Sequence, residues 1–97
     1  MAIDIKRSYE ITPRHADQGG GWNLVLLQDG EEAGGGVFPV PQEGPEVGMA
    51  WWNAITVESR AHWLSVAASA VPAAARHAYL LAEAYDAAQD QGETWSS

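Results

Sequence analysis

The stretch Trp22-Asn23-Leu24-Val25-Leu26-Leu27-Gln28-Asp29-Gly30-Glu31-Glu32-Ala33-Gly34-Gly35-Gly36-Val37-Phe38 decides the fold. From Trp22 to Gln28 it is an apolar run bounded by turn signals, which reads as a strand. Asp29-Gly30 follows at once and accepts positive φ at both central positions of a type I′ turn. Glu31 to Phe38 therefore returns antiparallel. A two-residue turn pairs Gln28 with Glu31, Leu26 with Ala33, Leu24 with Gly35 and Trp22 with Val37, all on one apolar face turned to the core. The triplet Gly34-Gly35-Gly36 removes side chains from the returning strand, as expected where a tryptophan ring or a helix lies on the backbone. A phosphate-binding glycine loop would instead open a helix, whereas Val37-Phe38-Pro39 continues an extended chain.

Upstream of the hairpin, Ile3 and Ile5, then Tyr9 and Ile11, alternate with polar residues until Pro13, so Lys6 to Thr12 reads as a first strand. Arg14 to Gly21 is a loop closed by Gly19-Gly20-Gly21. Downstream, Pro39, Pro41, Gly44, Pro45 and Gly48 make residues 39–48 a stiff connector. Helical periodicity takes over from Met49 to Gln91. A short helix is expected over Ala50 to Ile55, and Thr56 is a good N-cap for a second one running from Val57 to about Ala70. The apolar side of that second helix collects Ala61, Leu64, Ala67, Ala68 and Val71, with Trp63 at its margin. Pro72 suits a first helical turn, so a third helix runs from there to about Gln89 and ends before Gly92. The expectation is one domain over residues 1–97: a sheet half 1–38, the connector 39–48, a helical half 49–91 and a frayed tail 92–97. Its class is α+β, a three-stranded antiparallel β-meander followed by two or three α-helices packed on one face.

Thirteen acidic residues against five basic give a net charge of −8. Through Gln28 the signs balance at three each, so the later ten acids and two bases carry the whole imbalance. Such a field repels nucleic-acid phosphates and anionic headgroups, and basic protein surfaces are its natural partners. Surplus acid also keeps a small domain soluble. With no cysteine there is no disulfide framework or thiolate metal site. No run approaches the ~20 apolar residues of a bilayer span, and the first residues lack the apolar stretch of a signal peptide, so a cytoplasmic protein without membrane contact is expected.

No catalytic set, cofactor or metal site is expected. His15, His62 and His77 share no motif, and His62 lies one turn after Glu58, where the two can interact across i, i+4. The serines on the second helix have no elbow motif or partnered base, and Asp86 and Asp90 lack the oxygen pattern of a calcium loop. Aromatic and acidic residues carry the candidate binding surface instead. Trp51 and Trp52 differ by about 100° on a helix, so one of them should stay partly exposed; the alternative is that both tuck inward with Trp63. Tyr79 falls beside Glu83 and Asp86, and Glu83, Asp86 and Asp90 rise as one acidic stripe. Glu31 and Glu32 at the hairpin tip form a second cluster. Small residues along His77, Leu80, Ala84 and Ala87 could bury against the second helix or against another copy of the chain, and together with the exposed tryptophan they lead to the expectation of a homodimer.

Two resemblances bear on function. Tyr9-Glu-Ile-Thr-Pro, then Gly20-Gly21-Trp22-Asn-Leu and the turn into Gly34 to Phe38, resemble the strand portion of HicB-type antitoxins, which implies dimerisation and toxin binding. As a type, the chain is also similar to the small, acidic, cysteine-free inhibitors of bacterial defence carried by phages and plasmids, the anti-CRISPR and anti-restriction proteins. That resemblance implies a basic, nucleic-acid-handling partner such as a CRISPR effector, blocked by charge mimicry.

Overall fold

A computed structural model describes residues 4–97; Ile3, which opens the alternating pattern, lies outside them. Strands β1 (Arg7–Pro13), β2 (Trp22–Gln28) and β3 (Glu31–Phe38) precede helices α1 (Pro45–Ala54), α2 (Val57–Ala67) and α3 (Pro72–Ser96), with one 3-10 turn at Ala16–Gln18. The strands form an antiparallel sheet in the order β1-β2-β3. This is the α+β class, a meander followed by helices. The chain divides into two compact units. One runs up to Pro39 and also takes Glu83–Ser97; the other is Val40–Ala82.

In the sheet unit, Asp29 (φ 54°) and Gly30 (φ 83°) both adopt positive φ, as a type I′ turn requires. The turn is tied to the start of the chain: the Lys6 amide donates to Asp29 Oδ1 at 3.0 Å and the Asp29 amide to the Lys6 carbonyl at 2.7 Å. Gln28 pairs with Glu31 as the turn dictates, but a bulge then shifts the register between Leu26 and Leu27. Leu26, Leu24 and Trp22 consequently face Gly34, Gly36 and Phe38 instead of Ala33, Gly35 and Val37. Glycines have no side chain to lock the phase of pairing, so an extra residue enters there at little cost. Nor does a tryptophan or helix occupy the space beside the triplet. The Leu24 carbonyl closes on Gly35, the Leu26 side chain on Gly34 and the Phe38 ring on Gly36.

The second half of α3 covers the face that carries Tyr9, Trp22, Leu24 and Leu26. Trp22 and Tyr85 meet edge to face, with ring centroids 5.0 Å apart. Leu24 and Ala88 are buried. The Trp95 indole N–H donates to the Leu27 carbonyl at 3.0 Å, and the Arg7 guanidinium lies 4.6 Å from the Trp95 ring centre. Tyr85, Ala88, Gly92 and Trp95 recur at helical spacing, which is why one stripe meets the sheet. Gly92, expected to follow the end of the helix, lies inside it. A Cβ there would fall among the Tyr9 ring carbons, 2.8 Å from Cδ1 and closer to others. The residue is therefore a notch for an aromatic ring, and the tail read as frayed is helical to Ser96.

The helical unit opens earlier than expected. Pro45 stands at the first position of α1, with Gly44 as N-cap and Glu46 in the first turn, so the last four residues of the supposed connector 39–48 are helical. Proline fits there because the missing N–H would have no helical partner. Thr56 caps α2 as its sequence suggests, accepting the Ser59 amide at 3.1 Å. The helix ends at Ala67, with Ala68 (φ 51°) in the left-handed conformation. Ala61 and Ala68 are exposed, and the more enclosed side of α2 is Arg60, Trp63, Leu64 and Ala67. In α3, Ala75, Ala78 and Leu80 are buried.

Candidate functional site

Glu83, Asp86 and Asp90 are all exposed on α3, and Glu93 prolongs their line by one more turn. At about 100° per residue they occupy the side of the helix opposite Tyr85, Ala88, Gly92 and Trp95. Contact with the sheet thus fixes the orientation of the acidic face. The four carboxylates rise over about 15 Å at 1.5 Å per residue, and residues 83–97 contain no lysine or arginine. Glu31 and Glu32 are exposed in the same unit, at the start of β3.

Tyr79 belongs to the other unit and is half-buried. Its ring packs on Trp51 (5.0 Å between centroids) and meets Trp63 edge to face (5.3 Å). Trp51 and Trp52 lie 6.4 Å apart and are both half-buried. Both keep part of their surface, as adjacent positions on a helix dictate for at least one of them, while Trp51 also packs on Tyr79 and Trp52 on Arg60.

Two arginines complete the cluster, and after Gln28 the chain has no other arginine and no lysine. Arg60 lies 5.3 Å from the Trp52 ring centre and donates Nε to the Trp52 carbonyl at 3.0 Å. Arg76 lies 5.3 Å from Trp51 and 5.4 Å from Tyr79. It also binds Glu43 through two bonds, Nε to Oε1 at 2.7 Å and Nη2 to Oε2 at 3.0 Å. This fork geometry suits a carboxylate, and the two side chains are only 16% and 21% exposed. The Arg76 hydrogen bond, reinforced by its charge, holds the Glu43 carboxyl below its ordinary 4.5 although partial desolvation pushes the other way. The partnership spans 33 residues, so no local spacing advertised it; the one signal was the scarcity of cations among many acids and rings.

Beside this pair is a cleft of about 280 Å³ lined by Glu43, Gly44, Pro45, Gly48, Met49, Pro72, Ala73 and Arg76. Among the described residues no group of three or more His, Asp or Glu is placed to hold a metal ion. His15 contacts Asp17 at 3.4 Å, whereas His62 stacks edge to face on Trp63 at 4.7 Å. None of the described helices is long and apolar enough to cross a membrane. Comparison with family models, curated proteins and solved structures finds no match to this chain.

Proposed function

We propose that this protein is a partner-binding module that presses the acidic face of α3 against a basic, nucleic-acid-handling surface of another protein, in the manner of a mobile-element inhibitor of the anti-CRISPR or anti-restriction kind. The supporting observation is the exposed line Glu83, Asp86, Asp90 and Glu93, turned away from the stripe that holds the sheet. Each exposed carboxylate contributes below about 1 kcal/mol alone. A line of four acts through its summed field, which steers encounter and excludes acidic competitors. Successive carboxylates rise about 5 Å apart, the same order as the ~3.4 Å rise between charges along one DNA strand. They can therefore engage several basic side chains that otherwise contact phosphates.

The test uses two immobilised baits, wild type and Glu83→Gln/Asp86→Asn/Asp90→Asn, in a bacterial lysate with and without excess duplex DNA. Wild type should retain basic nucleic-acid-binding proteins that the DNA displaces, and the triple variant should lose at least about tenfold of that capture. Equal capture by both baits, or retention insensitive to DNA, contradicts the proposal.

A further inference from the structure

The cleft of the helical unit stands apart from the acidic face. Its walls are the first turns of two helices: Pro45, Gly48 and Met49 from α1, and Pro72, Ala73 and Arg76 from α3. Both prolines have fixed φ and sit at first helical positions, so these walls are held without a ligand. At Gly48 α1 runs beside the Arg76 stem, where a Cβ would make ordinary contact 3.5 Å from Arg76 Cγ. Met49 is 56% exposed at the lip, and a thioether makes favourable contacts with aromatic rings. The volume of about 280 Å³ compares with about 150 Å³ for a cavity that takes benzene, and lies at the lower edge of drug-sized pockets. It suits one or two fused rings and is too small for a nucleotide cofactor.

The polar wall narrows the chemistry further. Each Glu43 oxygen accepts one bond from Arg76, and a carboxylate has about four acceptor positions, so Glu43 retains acceptor capacity. Because Arg76 already neutralises it, a second cation gains little and an anion meets the carboxylate. We infer that the cleft between the first turns of α1 and α3 binds a small neutral heteroaromatic molecule carrying a ring N–H, of the indole type, with Glu43 accepting the N–H and Pro45, Met49, Pro72 and Ala73 enclosing the rings.

The experiment is an NMR titration of the full chain with indole, following the Met49 methyl and Gly48 amide signals, with benzofuran as a ligand of the same shape that lacks the N–H. Saturable shifts with a Kd on the order of a millimolar are expected for nine heavy atoms, and benzofuran should bind about fivefold more weakly. Ala73→Leu, checked for folding by circular dichroism, should abolish the shifts by filling the cleft; Ala73→Met serves if that variant does not fold. Shifts that fail to saturate, equal binding of the two ligands, or undiminished binding by a folded cleft-filling variant would each overturn the assignment.

Discussion

The two units solve the same packing problem with different materials. Among the described residues the sheet unit holds ten acids and three bases, the helical unit three acids and two bases. In the first, a helix stripe is laid on a strand face by fitting rings to small residues: Tyr9 over Gly92, and Tyr85 against Trp22. In the second, three short helical segments gather Trp51, Trp52, Trp63 and Tyr79, with Arg60 and Arg76 set over the rings. A strand face supplies flat area, so a helix can cover it with small residues and leave its other side mostly polar, with Ala87 the apolar member. Short helices offer little area each, and large rings with cations must bridge them. This is why the acidic face formed on the part of α3 that lies on the sheet, while the arginines went to the rings.

Removing a ring should cost the helical unit most. Tyr79→Ala deletes the contacts to both Trp51 and Trp63 and should lower unfolding free energy by about 3 kcal/mol in urea titration; a loss under about 1 kcal/mol would mean that the cluster is incidental. In the sheet unit the informative change is an addition. Helix propensity alone predicts that Gly92→Ala stabilises by about 1 kcal/mol, whereas a methyl group driven into the Tyr9 ring should destabilise by about 2 kcal/mol. The sign of the measured change decides between them. Trp95→Phe keeps most of the ring but loses the indole bond to Leu27 and weakens the stacking with Arg7, so a loss of about 1 kcal/mol is expected.

The smallest effect is electrostatic and tests the pairing of Arg76 with Glu43. A folded-state pKa held below 4.5 means that the folded chain binds this proton less readily than the unfolded one. The resulting stability is present above the ordinary carboxyl value and lost as pH falls through the lowered one. Thermal midpoints of wild type and Glu43→Gln should therefore differ by a constant amount above about pH 5.5 and draw together as pH falls from there through the lowered value, below 4.5. A gap that persists unchanged into acid would show that the carboxylate is not what Arg76 stabilises.

Much of the sheet was legible because its turn is written in two residues: Asp29-Gly30 set both hairpin strands at their observed ends. The bulge was not, since Gly34 to Gly36 present no side chain whose face could announce the register. Thr56 was readable as a cap for a local reason, its hydroxyl reaching the Ser59 amide three residues on. Pro45 and Gly92 were misread because proline and glycine punctuate a chain in some places and serve helices in others. Which role applies depends on the first turn in one case and on a Tyr9 ring more than eighty residues away in the other. Of the candidate site, the acidic stripe followed from periodicity alone, whereas the engagement of Tyr79 by Trp51 and Trp63 depended on tertiary neighbours.

The central claim, that the exposed acids of α3 bind a basic partner, is tested most directly by measuring affinity for the captured partner with wild type and with Glu83→Ala/Asp86→Ala/Asp90→Ala at about 50 mM and about 200 mM salt. Wild-type affinity should fall steeply between the two conditions, and the triple variant should bind more weakly with a visibly flatter salt dependence. Equal affinities and equal salt slopes would contradict the account and move the interface to the partly exposed rings of Trp51 and Trp52.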